Sequence, residues 1–126
     1  MNETVREWID KAEADFATAR RELEVTDHAN YDAVCFHAEQ GVEKLMKALL
    51  IQLGVTPPKT HRLLALDDLL RPVCPGWTGD KEDLRLLTRA AVDFRYPGET
   101  ADFAEAKEVM DVSLRLRETL LRLLGN

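Results

Sequence analysis

The chain is poor in the residues that most enzymes use as nucleophiles. Its one serine, Ser113, sits inside a helical pattern with no histidine near it in sequence, which sets a serine hydrolase aside. Its two cysteines, Cys35 and Cys74, lie far apart and form no C-x-x-C pair, so neither a zinc site nor a disulfide framework is expected. Cys35 falls on an apolar helix face and reads as a small buried hydrophobe. Neither G-x-x-x-x-G-K-[ST] nor G-x-G-x-x-G occurs, and the usual phosphate-cradling loops are missing with them. None of the three histidines follows a glutamate by three residues, which removes the paired Glu-x-x-His of a di-iron carboxylate bundle. No cofactor and no metal are expected.

Long apolar runs are lacking too. The most apolar stretch, "LMKALLIQLGV", is broken by Lys47 and Gln52 and is too short to span a bilayer. The opening "MNETVREWIDKAEADF" is polar and charged, unlike a secretory signal. A cytoplasmic location, away from membranes, is the expectation. Positive charge is also short: the formal net charge is −6, whereas sequence-independent duplex binding needs a basic surface that displaces counterions. Sequence-specific DNA is not an expected partner, while one local basic stripe could still meet RNA.

What the 126 residues do contain is helical periodicity. They suffice for one core, and a single domain over residues 1–126 is expected, with no linker or repeat. Val5, Trp8, Ile9, Ala12, Phe16, Ala19 and Leu23 form one stripe, predicting a first helix from about Thr4 to Glu24 with a Thr4–Glu7 capping box. A second helix is predicted from Tyr31 to about Leu53, with Asn30 as N-cap and Gly54 just past its end. A third should start near His61, capped by Thr60, and carry leucines as far as Val73. A fourth begins at Asp80 and stops at "RYPG", because a residue before proline is pushed from the α region. A fifth has Asp102 as N-cap and Glu105 as its capping-box partner. The fold class is all-α, an up-and-down bundle of four to five antiparallel helices with short connections.

Several polar residues sit where that pattern wants apolar ones. On a wheel of about 100° per residue, Glu39 and Glu43 share a face inside the apolar extension made by Phe36, Met46 and Leu50. Like charges four residues apart repel, and Lys47 offers partial compensation. Two readings stay open: a wet edge paired to lysine or arginine, or a polar cluster facing a partner or a site. Arg95 falls back beside Leu84, Thr88 and Ala91 on the fourth helix, so its guanidinium needs a carboxylate or phosphate partner. Glu39 and Glu43 are the internal candidates, and a phosphate of RNA or a nucleotide is the external one. His61 reads as a hydrogen-bonding residue at a helix start. His37 lies near the small residues Gly41 and Ala48, where another helix should approach closely.

Taken in order, "WIDKAEADFATAR", the tyrosine-led second helix with "EQGVEKLMKAL", "PKTHRLLAL" and "RYPG" resemble the HEPN domain family (higher eukaryotes and prokaryotes nucleotide-binding) over nearly the whole chain. The resemblance implies a helical bundle, commonly a homodimer, often paired with a small nucleotidyltransferase as a toxin–antitoxin system. It also implies nucleotide or RNA binding, with Arg95, Tyr96, Glu39, Glu43, Lys44 and His61 as candidate ligand- or partner-binding residues. Many members are metal-independent ribonucleases carrying Arg-x(4–6)-His. Their histidine would activate the ribose 2′-hydroxyl or protonate the leaving group, and their arginine would stabilise the phosphorane charge. Carried onto Arg95, that histidine should stand at residues 100–102, which are Thr100, Ala101 and Asp102. The motif is absent there. The expected function is a non-catalytic HEPN-type binding module; the alternative is a divergent ribonuclease using Arg95 with His61 or His37.

Overall fold

The computed structural model describes residues 2–94 and 96–125, and these form five helices with no strand among them. They are α1 (Glu3–Leu23), α2 (Tyr31–Gln52), α3 (Leu63–Leu70), α4 (Lys81–Asp93) and α5 (Phe103–Leu124). The bundle is all-α, as the periodicity predicts. α2 packs on each of the other four helices, most extensively on α1 and α5. Its sequence explains that position: from Val42 to Leu50 apolar residues occupy nearly every face, and all but Lys44 are buried. A helix buried all round must occupy the centre.

Close packing of α1 on α2 depends on Gly41. A Cβ built there would lie 2.6 Å from the Phe16 ring, so the ring occupies the space that any larger residue would fill. The second cross-link is polar. Asp15, buried on α1, accepts from Lys44 Nζ at 2.5 Å and lies 2.8 Å from His37 Nδ1. The Arg117 guanidinium grips Glu13 with Nε and Nη2, at 2.9 and 2.7 Å, and so ties α5 to α1.

Helix ends differ from the sequence reading in three places. Asn2, not Thr4, caps α1, with its side chain accepting from the Val5 N–H at 2.8 Å; asparagine is at least as good a cap as threonine and stands further upstream. Thr60 does not cap α3. Its hydroxyl accepts from the Arg62 N–H two residues on, in a turn that precedes the helix, and α3 begins only at Leu63. α3 also ends at Leu70 rather than running to Val73, which is exposed; Pro72 has no N–H with which to continue the ladder. By contrast, Asn30 caps α2 and the Asp102–Glu105 capping box opens α5, as predicted. Gly54 follows α2 with φ +82°, a left-handed conformation that glycine adopts without penalty.

The turn after α3 is pinned by a buried carboxylate. Asp67 is fully buried and accepts from Trp77 Nε1 at 2.7 Å, Arg71 Nε at 3.0 Å and Lys81 Nζ at 2.7 Å. Arg71 also donates to the Gly79 carbonyl. Burial opposes ionisation of Asp67, yet the hydrogen bonds from Arg71, Lys81 and Trp77 outweigh it and hold the carboxyl below its ordinary range.

Cys35 is buried, as its place in the stripe implies, and burial, with smaller contributions from Asp32 and Glu105, pushes its thiol up to about 12. Because the thiolate is the reactive form, Cys35 in folded protein should resist iodoacetamide at pH 8 and react promptly in denaturant. Rapid alkylation of native Cys35, read by peptide mass, would contradict this burial.

Candidate functional site

The polar cluster on α2 lies where α3 and α4 meet it. Glu39 and Glu43 are only 4% and 2% exposed, so the wet-edge reading is corrected: both carboxylates are buried. They are there because α2 is central and each of its faces meets another helix. Two buried carboxylates one turn apart demand donors, and the neighbours supply them. Lys47 Nζ reaches Glu43 Oε2 at 3.1 Å, and the Lys47 ammonium also stands 5.6 Å from the centroid of the Trp8 ring. Gln40 Nε2 donates to Glu39 at 2.9 Å and to Glu43 at 3.4 Å.

His61 completes the set from outside. The Pro58–Thr60 turn, closed by a 2.8 Å bond from the Thr60 N–H to the Pro58 carbonyl, carries the chain across the middle of α2. Leu63 and Leu66 then anchor α3 in the core. This leaves the His61 side chain 82% exposed with Nδ1 3.2 Å from both oxygens of Glu43. A carboxylate only accepts, so Nδ1 carries the proton and Nε2 is the outward acceptor of the neutral ring. The result is an exposed imidazole oriented by a buried carboxylate.

Beside it runs a cleft between α2 and α4, lined by Phe36, Glu39, Gln40, His61, Arg62, Thr88, Ala91 and Val92. The structure thus brings Glu39, Glu43 and His61 together. It separates Lys44 from them, because that side chain turns to Asp15 on α1. His37 is likewise held by Asp15, and lines a neighbouring cleft that shares Phe36 as a wall. Tyr96 is exposed in the turn after α4, where Gly98 has φ +92°. Arg95 lies outside the described residues.

One arginine–histidine pair does have the ribonuclease spacing: six residues separate Arg21 from His28. The geometry sets it apart from the α2–α4 cleft. Arg21 bonds Thr18 in the last turn of α1, and His28 is on an exposed loop with φ +57° beside Asp27.

Gln40 and Arg62 are the site residues that the wheel overlooked. Gln40 was legible as the third polar residue of the Glu39–Glu43 turn. Arg62 gave no periodic signal, since it precedes the helix.

A five-helix bundle whose buried central helix holds, through Glu43, a histidine from the segment before α3 at a cleft defines an all-helical domain with its polar site against the second helix. The chain belongs to the HEPN domain family, whose model matches residues 5–123. Two solved structures show the same fold. TT1696 from Thermus thermophilus is 20% identical with a TM-score of 0.76, and ST0689, an archaeal HEPN homologue, is 22% identical with a TM-score of 0.64. Each alignment covers 94% of this chain and 97% of the other. No curated protein matches the chain. Among the described residues no helix is long and apolar enough to cross a membrane.

Proposed function

We propose that this HEPN domain is a non-catalytic binding module. It takes up a phosphate group of a nucleotide or RNA at the mouth of the α2–α4 cleft, and acts as a homodimer beside a small nucleotidyltransferase in a toxin–antitoxin-like pair. The observation that carries this reading is the placement of two adjacent exposed groups, His61 and Arg62, on the rim of that cleft. A guanidinium meets phosphate oxygens well, and the His61 ring joins it in its imidazolium form, whose Nε2–H donates outward while Nδ1–H stays on Glu43. The missing histidine at residues 100–102 favours binding over cleavage. Val92 and Tyr96, both large and exposed at the end of α4, support pairing with a second copy there.

A second reading has one observation in its favour. Glu43 orients His61 as a carboxylate orients a general base, leaving Nε2 to take or give a proton. On that reading the chain is a divergent metal-independent endoribonuclease, with His61 acting on the ribose 2′-hydroxyl and Arg95 supplying charge to the phosphorane.

Incubating the protein with a mixed RNA pool without metal separates the two. The binding reading expects RNA to be retained on a filter and left intact, with retention weakened several-fold by Arg62→Ala. Cleavage that disappears in His61→Ala or Arg95→Ala would overturn it in favour of the nuclease. RNA that is intact at high protein concentration ends the nuclease reading, and RNA that is neither held nor cut also removes RNA as the ligand and leaves only a free nucleotide.

A further inference from the structure

Two features of the α2–α4 cleft are unused by a phosphate held at its rim. The first is Phe36, 40% exposed, on a helix whose other large apolar side chains are mostly buried. Its ring meets the His37 ring edge-on, with centroids 5.2 Å apart, which steadies the ring and leaves a flat apolar surface in the cleft wall. The second is Thr88 on α4. Its Oγ1 is buried and makes no hydrogen bond to any described residue. A helical threonine ordinarily bonds a carbonyl of the preceding turn, and a buried hydroxyl without a partner is a standing cost. Threonine populates two rotamers in a helix. Turning Thr88 about χ1 sacrifices no bond to a described residue, so its hydroxyl can turn toward a ligand.

Gln40 completes the wall. Its amide nitrogen is committed to Glu39 and Glu43, which leaves its carbonyl oxygen as an acceptor. The cleft therefore offers an aromatic face, a hydroxyl that gives or takes a hydrogen bond, and a carbonyl that takes one. A free phosphate uses neither the ring nor the carbonyl, and a sugar meets the ring only through puckered C–H bonds, not with a flat face. A planar heteroaromatic ring with donors and acceptors on its edge uses all three.

We propose that the α2–α4 cleft is a nucleobase subsite, in which the base lies against Phe36 and its edge is read by the Thr88 hydroxyl and the Gln40 carbonyl. The inference rests on the nucleotide-binding reading above and adds a base to its phosphate.

The test is calorimetric titration of the full chain with the four ribonucleoside 5′-monophosphates and with ribose 5-phosphate. Base–aromatic stacking predicts at least one nucleotide binding roughly tenfold or more tighter than the sugar phosphate. Phe36→Leu should bring the nucleotides down to the sugar-phosphate level while ribose 5-phosphate itself binds unchanged. Thr88→Val, which keeps shape and removes only the orphan hydroxyl, should flatten the preference among bases with the melting temperature equal or higher. That combination marks a ligand-directed group rather than a structural one. If ribose 5-phosphate binds as tightly as every nucleotide, or both variants bind nucleotides like the wild type, the base subsite is overturned and the phosphate reading stands. If no phosphate compound binds, the phosphate reading falls and takes the subsite with it.

Discussion

Asp67→Ala is expected to destabilise the protein by about 3–5 kcal/mol, the cost of breaking a buried charge cluster from one side. For a domain of this size that corresponds to a fall in melting temperature of roughly 10–20 °C. The reason is the asymmetry of the cluster. The Asp67 carboxylate is fully buried, whereas Arg71 and Lys81 keep part of their side chains in water. Removing the carboxylate strands the buried Trp77 N–H and releases the turn that Arg71 holds at Gly79. Asp67→Asn should cost less, because an amide oxygen still accepts from Trp77.

The same pair of variants reports on pH. Ionised Asp67 is favoured in the folded chain, so its folded pKa lies below the ordinary carboxylate value. Its contribution is complete above the unfolded pKa and is lost as pH falls through the lower folded one. Melting curves of wild type and Asp67→Asn should therefore converge as pH drops below about 4. A constant gap between them from pH 7 to pH 2 would show that the charge at Asp67 contributes nothing.

The largest packing effect is expected at the contact of α1 with α2. Phe16→Ala removes a buried ring from the centre of the bundle and should cost about 3–5 kcal/mol through lost burial and the cavity left behind. Gly41 is the other half of this contact. Alanine there gains about 1 kcal/mol in helix propensity. Its Cβ, however, would stand 2.6–2.8 Å from three atoms of the Phe16 ring, and overpacking of that kind costs about 1–3 kcal/mol. The ring is buried and has no open side to retreat to, so the clash wins and Gly41→Ala should lower the melting temperature. Gly41→Leu should prevent folding. In a Phe16→Leu background the sign should reverse, with Gly41→Ala neutral or stabilising, because the obstructing ring is gone. A rise in melting temperature for Gly41→Ala in the wild-type chain would refute the close approach.

Much of the site was visible as misplaced polarity. Glu39 and Glu43 stand out on the wheel of α2 because apolar residues flank them, and both prove buried. Asp67 and Asp15 carry the same signal. Asp67 shares the Leu63–Leu66–Leu70 stripe, and Asp15 lies beside Ala12, Phe16 and Ala19. Periodicity marks such residues as buried but is silent on who answers them. Glu43 is met by His61 from 18 residues away, Asp15 by Lys44 from 29, and Asp32 accepts from the Ala101 N–H from 69.

The chain's own pattern determined its five helices, the caps of α2 and α5, the all-α class and the family. Those follow from hydrophobic spacing, capping residues and Pro-Gly stops, which act over a few residues and can be read locally. Tertiary structure alone decided that α2 is central enough to bury three charged side chains, that Lys44 turns away from Glu43, and that no described residue answers the Thr88 hydroxyl. It also decided that His61 stands before α3 rather than in it, held at Glu43 over an open cleft. Each depends on which surfaces meet when the helices pack, and contact between distant segments leaves no period in the sequence.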